Sequence, residues 1–124
     1  MARAREARPR TTSETTFGRP LSDELAELVA RRFQLLAEPT RIKLLDRLRG
    51  DEASVHELAA QIGTTPQNVS KHLRALADAG IVARRKAGNF AYYRVVDDAI
   101  WELCDLVCGS VERRLDALHA ALRA

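Results

Sequence analysis

Apolar residues recur every three or four positions in five stretches of the chain, and between the fourth and fifth the period drops to two. Such periods predict amphipathic helices and a half-buried pair of strands. The first helix starts near Ser22, a good N-cap, with Asp23 and Glu24 in the first turn, where the helix dipole favours acids. Leu25, Leu28, Val29, Phe33 and Leu36 form its stripe. Glu38-Pro39 ends it, because a residue before proline is pushed out of the α region. The second helix runs from about Thr40 to Arg49, with Ile42, Leu45 and Leu48 as its buried stripe, Leu44 beside them and Gly50 as C-cap. The third opens on Ser54-Val55-His56-Glu57, a capping box in which Ser54 and Glu57 satisfy each other's backbone N–H groups. Leu58, Ala59 and Ile62 face inward, and Gly63 ends that helix. The fourth follows at once. Thr65 caps it, Pro66 takes the first position, where its missing N–H costs nothing, and Val69, Leu73 and Leu76 make an i, i+4, i+7 stripe up to Gly80.

Ile81–Lys86 and Phe90–Val95 then read as two short strands joined by Ala87-Gly88-Asn89, a β-hairpin. The last helix runs from about Asp98 to Arg123, with Asp97 as a possible cap. Its apolar residues Ile100, Cys104, Val107, Val111, Leu115, Leu118 and Leu122 step by four or three, the repeat of a helix–helix seam. Gly109 interrupts it, at a cost in helix stability or to admit a close neighbour. The fold class is therefore mainly α with a small β-hairpin, as one domain over residues 21–124. Residues 1–20 read as a disordered basic tail, either simply solvated or tracking phosphates as basic arms do.

Charge changes this picture more than composition does. The net charge of the 124 residues is +3, and the five Arg and two Glu of residues 1–20 account for all of it. The remainder is neutral but sorted. Residues 64–94 carry six basic side chains against one acid, and residues 97–124 carry six acids against three Arg. The first of these segments suits a polyanion. No run approaches the length of a membrane span, no signal-peptide core is present, and two cysteines make no disulfide framework, so a reducing cytoplasm is the natural setting. Gly-rich phosphate loops, HExxH and nucleophile elbows are absent from the sequence, which argues against an enzyme.

Two short helices joined through a glycine, the second polar on its outer side, make a helix-turn-helix; a basic hairpin directly after it makes the winged version. Gln67 and Asn68 fall in the first turn of the fourth helix, where a recognition helix touches base edges, and such amides pair with adenine. Thr65, Ser70 and the N-terminal N–H groups suit phosphates. Lys71, His72 and Arg74 add charge or donors on the helix, and Arg84, Arg85, Lys86 and Asn89 do so on the hairpin. Each alone is also an ordinary surface residue; their order and spacing favour a double-stranded DNA partner. The competing reading is a winged-helix protein–protein interaction module without an inducer.

Leu36-Ala37-Glu38-Pro39-Thr40-Arg41, Leu58-Ala59, Val69-Ser70-Lys71-His72-Leu73, the Leu76, Ala79-Gly80-Ile81-Val82 run and Tyr92-Tyr93-Arg94-Val95 resemble the ArsR/SmtB family of bacterial winged-helix repressors. The resemblance spans about residues 21–122. It implies an α-α-α-α-β-β-α order and a homodimer through the first and last helices. Leu25, Leu28, Ile100, Cys104, Val107, Val111, Leu115 and Leu118 would then lie at the interface. It also implies a fourth helix reading a palindromic operator, with release by an effector in many members. The family's cysteine site on the third helix falls at Ser54 and His56 here, and its site on the last helix at Asp97, Ala99, Ser110 and Arg113. Serine is no substitute for a thiolate, and three of the four last-helix ligands are missing, so no metal site is expected at either place. His119 is a lone helical histidine. Cys104 and Cys108, four apart on one helix face, leave three readings open: seam packing, a soft-metal or metalloid site, and a thiol-redox switch.

Overall fold

The computed structural model describes residues 20–123. The basic tail expected over residues 1–20 lies outside them but for Pro20. The described residues divide into two units, 20–34 and 35–123.

The first unit contains most of helix α1 (Asp23–Leu36). Ser22 caps it as expected: its Oγ accepts the Leu25 N–H at 3.1 Å. Leu28 and Phe33 are about half exposed.

The second unit continues through α2 (Pro39–Arg47), β1 (Ala53–Ser54), α3 (Val55–Ile62), α4 (Pro66–Asp78), β2 (Val82–Ala87), β3 (Phe90–Val95) and α5 (Ala99–Arg123). Its core gathers Leu44, Leu45 and Leu48 from α2 and the residue after it, Leu58 from α3, Val69, Leu73 and Leu76 from α4, and Ile81, all 0–1% exposed. Ile42, assigned to the buried stripe of α2, is 43% exposed. The helix turns Leu44 inward instead, so the buried side consists of Leu44, Leu45 and Leu48.

Local signals place the turn between α3 and α4. The Ser54 Oγ accepts the Glu57 N–H at 3.1 Å and the Glu57 carboxylate accepts the Ser54 N–H at 2.8 Å, a complete capping box. Gly63 ends α3 at φ 75°, a left-handed conformation that costs glycine nothing.

The hairpin carries one strand more than expected. β1, two residues long, pairs antiparallel with β3 through Ala53–Tyr93 and Ser54–Tyr92, giving a three-stranded sheet in the order β1-β3-β2. The Ala87–Phe90 pair leaves Gly88 and Asn89 as a two-residue turn. Only Gly88 has positive φ, at 60°, the arrangement in which glycine leads the turn.

Candidate nucleic-acid interface

α4 is fixed from below and polar above. Val69, Leu73 and Leu76 are completely buried, while Gln67, Lys71 and Arg74 are exposed and Ser70 is half-buried. Thr65 caps the helix through its hydroxyl, which accepts the Asn68 N–H at 3.1 Å. The Asn68 amide is itself engaged: its Nδ2 donates to the Thr64 Oγ1 at 3.1 Å. Gln67 and Asn68 are therefore unequal. The Gln67 amide stands free in the open, whereas Asn68 has one side-chain donor committed to Thr64 and its backbone N–H to the Thr65 cap.

A cleft of about 530 Å³ lies between the first turns of α3 and α4 and the tip of the hairpin. Gln67, Ser70 and Arg74 line it from α4, Asn89 and Ala91 from the hairpin, and Val55, His56 and Pro66 complete it. Four of the side chains singled out from sequence thus share one concave surface. His56 was missed as a lining residue. It follows the cap of α3, and its ring meets Phe90 edge-on at 6.0 Å. Its position in the capping box, with Val55 buried and His56 exposed, was the available signal.

The three cations of β2 do not act as a set. Arg84 pairs across the sheet with Tyr93 and Lys86 with Ala91, which puts them on one face; Arg85 pairs with Tyr92 on the other. Ala91 enters the cleft, so the Lys86 face is the one turned toward α4. Arg84 and Lys86 make no ion pair among the described residues. Arg85 is held. Its Nε donates to a Glu52 carboxylate oxygen at 3.3 Å, a second guanidinium nitrogen pairs with the other oxygen, and the group lies 4.8 Å above the Tyr92 ring. That hydrogen bond holds the Glu52 carboxyl below the usual carboxylate range and raises the Arg85 guanidinium further.

His72 is a correction. Expected among the outward donors of α4, it is 6% exposed and faces the core side. Three residues after Val69 and four before Leu76, it falls in the buried sector of the helix. Its Nδ1 accepts from Arg41 Nε at 3.0 Å, and Arg41 Nη1 donates to the Leu35 carbonyl at 3.0 Å. With Nδ1 accepting, the proton sits on Nε2. Burial, then the Arg41 and Lys71 charges, push the imidazole below its ordinary value, with Glu38 opposing weakly.

α5 departs from the core after its second turn. Ile100 is 2% exposed within the protomer's own core, so it is corrected from interface to core residue. Cys104 packs half-buried against that core, and burial, with Cys108 nearby, pushes its thiol up. Cys108 is exposed. Val107, Val111, Leu115 and Leu118 are each about half exposed.

The family's metal positions do not fit a metal. The Ser54 hydroxyl is occupied in the capping box, and Ala99, Ser110 and Arg113 offer no ligand atoms of the required kind. Among the described residues no group of three or more His, Cys, Asp or Glu side chains is placed to hold an ion.

A helix-turn-helix domain model matches residues 36–85. The HTH-type transcriptional regulator KmtR of Mycobacterium tuberculosis is 38% identical over 84 residues, 68% of this chain and 65% of KmtR, so the match spans just under two thirds of that relative. The crystal structure of the AntR antimony-specific transcriptional repressor superposes with a TM-score of 0.72 at 32% identity, covering 87% of this chain and 99% of AntR. The chain belongs to the ArsR/SmtB family. Its fold is the winged helix-turn-helix of that family, with β2 and β3 forming the wing and α4 the second helix of the helix-turn-helix. A further neighbour is a solution structure from Mycobacterium bovis, described as a homodimeric winged helix-turn-helix DNA-binding domain and a possible ArsR-family transcriptional regulator. It has 32% identity and a TM-score of 0.66 over 77% of this chain and 92% of that one. These ArsR/SmtB relatives are transcriptional regulators. No described helix is long and apolar enough to cross a membrane.

Proposed function

We propose that this protein is a cytoplasmic, homodimeric, sequence-specific DNA-binding repressor with no catalytic activity, which binds a palindromic operator and is released by an effector. The observation that carries the reading is the shared cleft, in which Gln67, Ser70 and Arg74 of the recognition helix meet Asn89 of the wing. Gln67 reads a base edge from the major groove. Thr65, Ser70, Lys71 and Arg74 take phosphates, Arg84, Lys86 and Asn89 take the backbone beside the wing, and Asn68 serves mainly as part of the cap. Binding should weaken log-linearly as salt rises. Gln67→Ala should cost about 1–3 kcal/mol on the operator and little on random duplex, measured by fluorescence anisotropy. Equal loss on both would remove Gln67 from base reading, and salt-independent binding would favour the protein–protein module.

Dimerisation is assigned to Leu25 and Leu28 of α1 and to Cys104, Val107, Val111, Leu115 and Leu118 of α5. Gly109 supports this assignment: among the described residues a Cβ there would meet only the flexible Arg113 guanidinium, at 3.4 Å, so none of them demands the missing side chain. Effector sensing of a soft metal or metalloid is assigned to Cys104 and Cys108, since thiolates prefer soft ions and one structural neighbour is described as antimony-specific. The C104S/C108S variant should bind DNA normally and no longer be released by antimonite, arsenite or cadmium. Unchanged release would return both cysteines to packing.

A further inference from the structure

We propose that Glu52 sets the general affinity of the wing for DNA by withholding Arg85 from phosphate. The inference rests on the DNA-binding reading and deepens it. A hairpin entering a minor groove presents one face to each phosphate wall. Here Arg84 and Lys86 share one face and Arg85 stands on the other. The fork of Arg85 matches a phosphate as well as it matches a carboxylate, because both offer two oxygens to parallel N–H donors. In the protein the Nε and Nη2 edge of that fork is already paired with both oxygens of Glu52, and the guanidinium lies 4.8 Å over the Tyr92 ring.

Glu52 is well placed to hold it. It immediately precedes β1, whose two residues pair with Tyr93 and Tyr92 of β3, so the sheet ladder fixes the carboxylate across from the wing. Arg94, on the same face as Tyr92, adds its field to that of Arg85 at the carboxylate. A phosphate arriving at the wing must therefore displace a neighbour that is already in register.

Engaging Arg85 with phosphate would add affinity on every sequence alike, since such contacts position but do not specify. Holding it back lowers binding to operator and random DNA alike, while leaving Gln67 and its groove untouched. Glu52 thereby lowers overall affinity and the salt sensitivity of binding, leaving the ratio of operator to background binding unchanged.

The test uses the full-length protein and a random-sequence 30-base-pair duplex, with affinity measured across a salt series. E52Q keeps the shape of Glu52 and removes its charge. It should bind this duplex on the order of tenfold more tightly near 0.1 M salt, with a log–log salt slope steeper by about 0.9 for each phosphate gained. R85Q alone should leave the wild-type slope unchanged, and E52Q/R85Q should return to the R85Q values. D51N removes the same charge one residue away and should give little gain. A gain in D51N equal to that of E52Q would overturn the proposal, as general electrostatics would then explain it. So would a flattened slope in R85Q, which would mean that Arg85 already touches phosphate, or an E52Q indistinguishable from wild type. Failure of the wild type to bind any duplex would instead bring down the DNA-binding reading and this inference together.

Discussion

α4 and the outer half of α5 carry the same kind of apolar stripe and meet opposite fates. Val69, Leu73 and Leu76 of α4 have no exposed surface at all, whereas Val111 of α5 is 58% exposed and Leu122 84%. The difference lies in what surrounds each helix. α4 is enclosed by α2, α3 and β2, while α5 keeps only its first turns against the core. A helical stripe thus announces that something covers it, without saying whether the cover belongs to the same chain. For α4 it does; for α5 the repeat suits a second copy.

Three perturbations would break or sharpen that contrast. Leu73→Ala should be the most damaging, because a completely buried leucine leaves a cavity: about 2–5 kcal/mol of stability lost in urea denaturation. L115D/L118D should spare the secondary structure seen by circular dichroism but halve the mass in solution. It should also weaken operator binding roughly 100-fold, since two linked half-sites become independent. A folded variant that stays dimeric would move the seam off α5. The smallest effect belongs to His72. Its imidazole is held below the ordinary value, so it is neutral in both folded and unfolded chains above about pH 6.5. As pH falls below that value the unfolded chain takes up the proton first, and stability declines until the folded-state value is passed. The slope is at most about 1.4 kcal/mol per pH unit. His72→Gln should flatten this acid limb in thermal melts taken between pH 7 and 5; an identical limb would place the titration elsewhere.

What was legible in the sequence was local. The Ser54–Glu57 box, the Thr65 cap with Pro66 behind it, and the stop at Gly63 are decided within four residues, and all formed as read. What depended on a distant partner was not legible. β1 exists because Ala53 and Ser54 meet a strand nearly forty residues later, and nothing in two residues announces that. The loss of Arg85 to Glu52 spans 33 positions. Ile42 and Leu44 lie on opposite sides of a nine-residue helix, and the neighbours decided which side turned inward. His72 is the exception: helical arithmetic from Val69 and Leu76 already pointed inward, and its polar character drew the assignment outward. In the interface itself, Gln67, Ser70, Arg74 and Asn89 were identified individually, but only the folded chain draws them into one cleft with His56.

The two residues of β1 carry a thermodynamic consequence. Because they lace the entrance of α3 to the same sheet as the wing, the arm and the reading helix are prearranged before any ligand arrives. Much of the disorder that a loose hairpin would surrender on docking has already been surrendered when the chain folds, so association begins from a shape close to its final one.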